Sequence, residues 1–303
     1  MYDIVILGGG PAAITAAVYI GRKRLNALLL TKNIGGQVLE TMSVENYLGY
    51  SFIEGPELIQ KFDTQLREHP IDIKLGYRVT KVRQADEHFE VDTESGESFL
   101  SKVVLYTLGK RARRLGVPGE DRLVGRGVSY CAVCDGPLFA GQKVTIVGGG
   151  DSALEAAYDL IKMAEHVYLV SLTPFTADPV LVERVVGAPN LTTFVEHIAE
   201  EIEGGEFVEA IRIRDLKTGE RKRLESKAVF VEIGLIPNSE PLKGLVTLNK
   251  WGEVPVNTCC ETEIPGLYAA GDVTDIPEKQ IIVACGEGAK AALQASKYLQ
   301  KNK

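Results

Sequence analysis

Short apolar runs, glycine-rich turns and helix-like stretches follow one another from the start of the chain. The apolar run Asp3–Leu7 predicts a strand, and the turn Gly8–Ala13 comes directly after it. A helix is predicted from Ile14 to about Gly21, and a second strand at Leu25–Leu30. This strand–turn–helix–strand order indicates a parallel α/β unit that begins at residue 2.

The same unit recurs well inside the chain. Lys143–Val147 predicts a strand, and Gly148–Ala153 is a second glycine-rich turn. A helix is predicted at Leu154–Met163 and the next strand at His166–Val170. Two copies of one supersecondary unit predict two α/β domains.

The segments between and after these units suggest how the domains are connected. Alternating polarity predicts strands of the antiparallel kind at His88–Asp92, Phe99–Tyr106, Ala210–Arg214 and Lys227–Ile233. A last strand is predicted at Gly266–Ala270 and a last helix at Gly286–Leu299, so we expect the end of the chain to return to the first domain.

Glycine- and proline-rich joints at Gly116–Gly127 and Pro237–Gly244 mark the predicted domain boundaries. We therefore predict an α/β protein with two Rossmann-like nucleotide-binding domains of the three-layer ββα type, the second inserted into the first. The first domain comprises residues 1–114 and 242–303, and the second comprises residues 115–241.

Both glycine-rich turns fit the pattern G-x-G-x-x-A between a strand and a helix. In this pattern the first glycine permits a tight turn, the second lets the backbone approach a pyrophosphate, and the small third residue lets helix and strand pack closely. The N-terminus of the following helix offers free N–H groups and a partial positive charge to phosphate. Two such turns in the correct context predict two dinucleotide sites.

The ends of the second strands lack the groups that usually recognise the ribose. An acidic residue there binds a ribose 2′-hydroxyl, and an arginine there binds a 2′-phosphate. The first unit ends at Leu30-Thr31-Lys32, and the second at Val170–Pro174, with no arginine until Arg184. The second site therefore has the turn for a dinucleotide and poor recognition of its adenosine end.

Composition narrows the class of protein. The 303 residues are 45% hydrophobic and 25% charged, which is ordinary for a globular chain of two domains. The net charge of −7 argues against a general nucleic-acid role. No apolar run approaches the roughly 20 residues needed to span a bilayer, and no signal peptide is evident. We expect a cytoplasmic protein with no membrane association.

The run Cys131-Ala-Val-Cys134-Asp135 lies between the two glycine-rich turns. Two cysteines at this spacing can close a disulfide or open to a dithiol, and a helical turn that begins there lowers a thiol pKa. A carboxyl directly after the second cysteine can serve as general acid and base, because a departing thiolate must be protonated or stabilised. The pattern predicts a redox centre.

A structural zinc site and plain buried cysteines are the rival interpretations of this run. Zinc needs four ligands. The remaining cysteines are Cys259, Cys260 and Cys285; the first two are adjacent, which is poor geometry for a second pair, and the four histidines are scattered. We therefore predict no metal site, and structural or incidental roles for these three cysteines.

Taken as a set, these stretches resemble the low-molecular-weight thioredoxin reductases over essentially the full length of the chain. The stretches that carry the resemblance are Gly8–Ala13, Gly35–Gln37, Val44–Tyr47, Thr107–Gly109, Gly125–Gly136, Gly148–Ala153, Tyr268–Val273 and Gln280. Val128–Gly150 and Gly286–Ala292 also look like the C-terminal part of the alkyl hydroperoxide reductase flavoprotein subunit. That protein carries an extra N-terminal dithiol domain, and we expect none here because the first predicted strand begins at residue 2. Ferredoxin–NADP reductases of this fold lack the Cys-x-x-Cys.

The resemblance implies FAD as the cofactor and names the residues that would contact it. These are Gly8, Gly10, Pro11, Ala12, Ala13, Lys32, Gly35, Gly36, Gln37, Asn46, Val79, Gly109, Gly271, Asp272, Gln280 and Ile281. The pyridine-nucleotide site would be formed by Gly148, Gly150, Asp151, Ser152, Ala153 and Ser171.

The resemblance also implies a mechanism and partners. FAD would pass electrons to the Cys131–Cys134 disulfide, with Cys134 as the sulfur that faces the flavin. Cys131 would attack the disulfide of a separate thioredoxin-like protein, with Asp135 as proton donor and acceptor. In this family the nucleotide domain rotates, so that the cysteines and the nicotinamide reach the flavin in turn. A homodimer is expected on the same ground.

One segment departs from the family pattern. NADPH-dependent members carry a His-Arg-Arg-x-x-x-Arg run, and this chain has Ser171–Ala177 without any charge there. Losing several charge-assisted contacts of about 1.5–3 kcal/mol each predicts weak NADPH binding. The acid that hydroperoxide-reductase relatives place at this position is also absent. The electron donor is therefore either NADH or NADPH bound weakly, or a different donor such as ferredoxin or a second flavin nucleotide.

Three functions follow from this reading. The first is a reductase of thioredoxin-like proteins. The second is an oxidase of small dithiols that uses O₂, and the third is a non-catalytic FAD-binding module, which the redox motif disfavours.

Overall fold

The structure is a computed structural model that describes residues 1–41 and 44–302. The first part of the chain forms six strands and two helices. The strands are β1 (Tyr2–Leu7), β2 (Ala27–Thr31), β3 (Asp72–Leu75), β4 (Val79–Ala85), β5 (His88–Thr93) and β6 (Ser98–Tyr106). The helices are α1 (Pro11–Arg22) and α2 (Gly55–Arg67), and a short 3₁₀ helix covers Gly36–Glu40.

The middle of the chain begins with one short strand, β7 (Lys110–Ala112), and ends with another, β16 (Leu235–Pro237). Its elements are β7 (Lys110–Ala112), α3 (Glu120–Leu123), β8 (Val128–Ser129), α4 (Ala132–Asp135), β9 (Lys143–Val147), α5 (Asp151–Leu160), β10 (His166–Ser171), α6 (Pro179–Val186), β11 (Leu191–Val195), β12 (His197–Gly204), β13 (Val208–Asp215), β14 (Arg221–Glu225), β15 (Ala228–Val231) and β16 (Leu235–Pro237). The chain ends with β17 (Leu267–Ala269) and α7 (Ile281–Lys301), and 3₁₀ turns cover Gly136–Phe139 and Glu240–Leu242.

Two sheets organise these elements into a mixed α/β fold with two Rossmann-like domains. The first sheet has the order β3-β2-β1-β6-β5-β4, with β17 parallel to β6 beside its C-terminal half. The second has the order β11-β10-β9-β15-β8, and all its pairs are parallel. A three-stranded antiparallel sheet, β12-β13-β14, packs against the second.

Apolar side chains cover both faces of the parallel strands at the centre of each large sheet. Strands β1 and β2 are almost wholly buried, as expected for central parallel strands with helices or further strands on both sides. Helix α1 packs along α7, where a side chain at Gly288 would lie 2.1 Å from the carbonyl oxygen of Ala12. Glycine inside α7 therefore permits this close contact.

Two details differ from the pattern-based expectations. The segment predicted at Lys227–Ile233 was assigned antiparallel character, and this was wrong: β15 is parallel to both β8 and β9. The last helix begins at Ile281, five residues before the predicted start at Gly286. Packing against α1 outweighs the helix-breaking tendency of Gly286 and Gly288.

Candidate functional site

The first glycine turn brings the start of α1 next to the end of β1. Gly8 has φ +121°, and a side chain there would lie 2.4 Å from the carbonyl oxygen of Thr107, so only glycine fits. Gly10 precedes the helix, and a side chain at this position would meet nothing within 4 Å. One side of the turn is therefore tightly packed, and the other is open toward a ligand.

The open side faces a cavity of about 970 Å³. Fourteen of the sixteen predicted FAD contacts line it: Gly8, Gly10, Pro11, Ala12, Lys32, Gly36, Gln37, Asn46, Val79, Gly109, Gly271, Asp272, Gln280 and Ile281. Ala13 and Gly35 do not line it. Ala13 is fully buried beneath the turn, where its small side chain permits close packing, and Gly35 is buried against Leu39.

Two of the predicted contacts meet across the chain. The side-chain amide of Asn46 donates a hydrogen bond to the amide oxygen of Gln280 at 3.1 Å. Asn46 precedes and Gln280 follows the part of the chain that forms the second sheet. The cavity wall is therefore completed only when the C-terminal part of the chain has returned.

Two lysines that the sequence analysis did not identify, Lys110 and Lys279, line another part of this wall and share one carboxylate behind it. Nζ of Lys110 lies 2.5 Å from a carboxylate oxygen of Glu253, and Nζ of Lys279 lies 3.5 Å from the same oxygen. Burial raises the pKa of Asp272, although the positive charges of Lys279 and Lys110 act in the opposite direction. Burial and the charge of Lys110 lower the pKa of Lys279. The cavity thus holds a buried carboxyl beside two amines.

The predicted redox cysteines also lie in the cavity wall. Cys131 and Cys134 form a disulfide at the start of α4, directly after β8. The backbone N–H of Cys134 donates to Sγ of Cys131 at 3.3 Å. An N–H aimed at sulfur stabilises a thiolate, so this geometry favours Cys131 as the anionic thiol when the disulfide is opened.

Asp135 lies in the same wall beneath the disulfide. Burial raises the pKa of its carboxyl, and hydrogen bonds with Ser129 and Thr41 lower it in part. Its Oδ1 atom is buried and finds no hydrogen-bond partner among the residues that the structure describes. A buried carboxyl with one unpaired oxygen, next in sequence to a disulfide cysteine, is suited to hold and release a proton.

The second glycine turn repeats the geometry of the first. The N–H of Gly148 donates to the carbonyl oxygen of Val170 at 2.9 Å, as the N–H of Gly8 donates to that of Leu30 at 3.0 Å. Gly148 has φ +155°, and a side chain there would lie 2.2 Å from the carbonyl oxygen of Glu232. The structure therefore forms a second dinucleotide-type turn.

Most of the residues predicted for the second site lie outside the large cavity. Gly148, Gly150, Asp151, Ala153 and Ser171 do not line it, whereas Ser152 does. The disulfide thus lines the large cavity, whereas the second turn reaches it only through Ser152.

Ser171 is not free to recognise a ribose. Its side chain is 1% exposed, and its hydroxyl donates to the carbonyl oxygen of Thr173 at 2.6 Å. The N–H of Thr176 donates to the carbonyl oxygen of Gly149 at 2.8 Å, so the uncharged segment lies close to the turn. The carboxylate of Asp151 is occupied as well, because it accepts the N–H of Asp178 at 2.8 Å.

Two acidic residues near the disulfide were not identified from the sequence. Glu232 follows β15, and Glu155 lies on α5; both line the large cavity. Burial raises the pKa of Glu232 to about 7, the charge of Glu155 adds to this rise, and a hydrogen bond from the N–H of Ala132 opposes it. No motif marks Glu232, because its neighbours in space come from distant parts of the sequence.

The other three cysteines are not among the residues that line the cavity. Cys260 and Cys285 are buried, and Cys259 is partly exposed. Burial raises the pKa of Cys260 to about 12, which keeps it a thiol. Within residues 1–41 and 44–302, no three histidine, cysteine or acidic side chains form a group that could hold a metal ion. No helix in these ranges has the length and apolar character needed to cross a membrane.

Comparison with known proteins gives consistent matches along the chain. A family model for pyridine nucleotide-disulphide oxidoreductases matches residues 2–288. A Bacillus subtilis (strain 168) protein named NADH dehydrogenase is 42% identical over 302 residues, which cover 99% of this chain and 59% of that protein. The chain thus spans about three fifths of the length of this relative.

Two solved structures show the same fold. Thioredoxin reductase from Streptococcus pyogenes MGAS5005 is 35% identical, with 99% of both chains covered and a TM-score of 0.94. Lactococcus lactis thioredoxin reductase in its FR conformation is 33% identical, with 99% of this chain and 100% of that chain covered, but a TM-score of 0.69. A lower score at similar identity and coverage indicates a different arrangement of the same parts.

Proposed function

The chain belongs to the pyridine nucleotide-disulphide oxidoreductase family as an FAD-dependent oxidoreductase, and on this basis we propose that it reduces the disulfide of a thioredoxin-like protein. One observation carries this proposal: the Cys131–Cys134 disulfide lies in the wall of the cavity that Gly10 and Asp272 also line. A flavin bound in this cavity would have the disulfide next to it as an electron acceptor.

The polar features of the cavity fit FAD. The N-terminus of α1, beside the open side of Gly10, offers N–H groups to a pyrophosphate. The carboxylate of Asp272 can accept hydrogen bonds from ribityl hydroxyls. Bound FAD supplies the two-electron chemistry, and the residues of this chain orient it and move protons.

We assign distinct roles to the two sulfur atoms. Cys134 receives the electron pair, which breaks its bond to Cys131. The Cys131 thiolate, stabilised by the N–H of Cys134, then attacks the partner disulfide and forms a mixed disulfide. Cys134 attacks Cys131, the Cys131–Cys134 bond forms again, and the partner leaves as a dithiol. Asp135 supplies and accepts the protons of the cysteine thiols.

A change of domain arrangement is part of this proposal. Cys131 and Cys134 are only partly exposed and face the cavity, so a protein partner needs the second domain to turn before it can reach Cys131. The two chain crossings, β7 and β16, pair with each other and provide a plausible axis for this motion. The different fit to the two solved reductases supports such a motion.

We further propose that NADPH is not the main electron donor. Ser171 is buried and bonded internally, and Leu172 and Thr173, which follow it, carry no charge for a 2′-phosphate. Two other electron donors are candidates. One is NADH, because the Gly148 turn is intact and a 42% identical relative is named NADH dehydrogenase. The other is reduced ferredoxin.

Anaerobic titration identifies the donor. The flavin absorbance band is followed while NADPH, then NADH, then reduced ferredoxin is added to the FAD-loaded protein. We expect little bleaching at micromolar NADPH. Rapid bleaching by micromolar NADPH would contradict the interpretation of Ser171–Ala177.

Substitution of the attacking cysteine tests the reductase function itself. Cys131→Ser should abolish turnover with thioredoxin disulfide and leave FAD binding intact, and Cys259→Ser is the matched control. Retained turnover in Cys131→Ser would refute the proposal. Net peroxide formation from O₂ with a small dithiol would instead favour a dithiol oxidase. Sedimentation of the same protein tests the expected homodimer.

A further inference from the structure

Glu232 and the redox disulfide lie at the same edge of the second sheet. Strand β8 leads into Cys131, and the neighbouring strand β15 leads into Glu232. Because the two strands are parallel, their carboxyl ends meet at one edge. Cys131 and Glu232 are thus brought together by sheet topology, although about a hundred residues separate them.

The main chain of Glu232 is fixed by the second glycine turn. Its carbonyl oxygen lies 2.2 Å from where a side chain at Gly148 would begin, so the two backbones are in close contact. Its carboxylate points to the redox helix, where Oε1 accepts a hydrogen bond from the N–H of Ala132 at 3.2 Å. Ala132 is the residue directly after Cys131. Glu232 therefore contacts the main chain of the redox helix directly beside Cys131.

The titratable groups around Glu232 are mostly acidic or neutral. Glu155 on α5 is the charged residue whose field acts on Glu232, and it raises the pKa of that carboxyl together with burial, to about 7. On the redox helix the groups are Cys131, Cys134 and Asp135. On the neighbouring linker, the Arg113 guanidinium lies 3.7 Å from where a side chain at Gly234 would begin, two residues beyond Glu232.

We propose that Glu232 is a proton-binding group of the dithiol centre, which takes up one proton from solvent when the Cys131–Cys134 disulfide is reduced and releases it when the disulfide forms again. This inference rests on the proposed function, since it deepens the chemistry of the same disulfide. It makes Glu232 a positioning and charge-compensating residue that acts through the N–H of Ala132.

The step balances in charge and atoms. Two-electron reduction breaks the S–S bond and leaves two sulfur atoms with one negative charge each. Cys134 takes a proton from Asp135, which becomes a carboxylate, and Cys131 stays a thiolate. Glu232 binds one proton from solvent, which compensates the charge of the thiolate, and Asp135 recovers its proton from Cys134 when the disulfide forms again. When Cys131 becomes part of a disulfide again, that charge disappears and Glu232 returns its proton to solvent.

The physical reason is repulsion between like charges. The disulfide is neutral, and a carboxylate beside it is disfavoured only by burial and by Glu155. A thiolate at Cys131 adds a negative charge nearby, which favours the neutral carboxyl of Glu232 further. A neutral carboxyl keeps an oxygen acceptor for the N–H of Ala132, so the hydrogen bond can persist through the cycle.

The test is the pH dependence of the equilibrium between the holoenzyme disulfide and dithiothreitol. The fraction of reduced Cys131 and Cys134 is measured by acid quench and alkylation between pH 6 and 9, for the wild type and Glu232→Gln. Glutamine keeps the acceptor and removes the titration. Each protein gives an equilibrium constant for reduction of its disulfide by dithiothreitol. The constant of the wild type divided by that of Glu232→Gln should fall by up to about tenfold per pH unit above pH 7.

Two further variants make the result specific. Glu155→Gln should move the fall to lower pH, because it removes a charge that raises the pKa of Glu232, and it tests the inference even if Glu232→Gln does not fold. Glu225→Gln, on exposed strand β14, should match the wild type. Parallel curves for the wild type and Glu232→Gln would overturn the inference. A disulfide that dithiothreitol cannot open would overturn the proposed function instead.

Discussion

The guanidinium of Arg114 lies 3.3 Å from the carboxylate of Glu40 and also donates to the hydroxyl of Tyr130 at 2.5 Å. Glu40 ends the 3₁₀ helix that follows β2, Arg114 lies just after β7, and Tyr130 immediately precedes Cys131. This chain of contacts joins the two domains while the disulfide faces the cavity. Domain rotation of the proposed kind would have to break or rearrange it.

Glu40→Gln should therefore favour the rotated arrangement. Both partners are partly exposed, so the ion pair contributes about 0.2–1 kcal/mol and its loss should shift the equilibrium between the two domain arrangements by up to about fivefold. The rate at which an external dithiol reduces the disulfide, together with small-angle scattering, measures the shift. Lys61→Gln breaks an ion pair with Glu57 inside α2 and serves as control. Equal rates in all three proteins would mean that Glu40 does not hold the domains.

Asp135→Asn separates the role of this carboxyl in catalysis from its effect on stability. Burial raises the pKa of Asp135 in the folded protein. The folded protein therefore binds a proton more tightly than the unfolded chain, and its stability falls as pH rises from the ordinary value through the raised pKa. Asparagine avoids this loss, so the Tm of the variant relative to wild type should increase with pH over that interval.

The same variant should lose about a hundredfold in the rate of disulfide exchange with thioredoxin, because proton delivery to the departing thiolate is impaired. Thermal unfolding from pH 4 to 8 and stopped-flow exchange measure the two effects. Asp159→Asn, at an exposed position on α5, is the control. A variant with full exchange rate would exclude Asp135 as the proton donor.

Two adjacent glycines should respond differently to the same substitution. A methyl group at Gly10 would meet nothing within 4 Å, whereas one at Gly9 would lie 1.9 Å from the carbonyl oxygen of Asn33. Gly10→Ala should fold normally and bind FAD at least about tenfold more weakly, because the methyl group enters the space proposed for the pyrophosphate. Gly9→Ala should lose about 1–3 kcal/mol of stability. Flavin fluorescence titration and thermal unfolding distinguish the two outcomes, and unchanged FAD affinity in Gly10→Ala would contradict the proposed cofactor position.

Positive charge introduced next to the second glycine turn should strengthen NADPH binding, because we attribute the weak binding to the absence of a positive group for the 2′-phosphate. Leu172 and Thr173 are exposed and can carry arginine without disturbing the core. The double variant Leu172→Arg/Thr173→Arg should gain about tenfold to a hundredfold in affinity for NADPH relative to NADH. Isothermal titration with both nucleotides measures the ratio. Leu172→Gln/Thr173→Gln controls for the change in side-chain size, and an equal gain for both nucleotides would show that 2′-phosphate recognition was not restored.

The predictions that depend on local pattern were accurate in this chain. The strand at Lys143–Val147 was predicted with its observed bounds, and both glycine turns occur between a strand and a helix as expected. These features depend on residues that are close in sequence, because turn geometry and strand burial are set within about twenty positions. The large cavity then unites most of the predicted FAD contacts.

The features that the sequence did not reveal depend on distant contacts. Glu232 became recognisable only when β15 was placed beside β8, and Lys110, Glu253 and Lys279 only when three separate segments met at the cavity. The direction of β15 was misjudged for the same reason. Alternating polarity does not distinguish parallel from antiparallel neighbours when one face of the strand lies beneath a second sheet.

The pairing of β7 with β16 has a kinetic consequence. Lys110–Ala112 and Leu235–Pro237 form one antiparallel ribbon, so both covalent crossings between the domains run side by side. A domain held in this way can swing but cannot drift away, and its disulfide stays at a high effective concentration near the first domain. Reduction of the disulfide within the protein is then a first-order step, and its rate constant should not change when the protein is diluted. Reduction of a separate partner protein remains a second-order step.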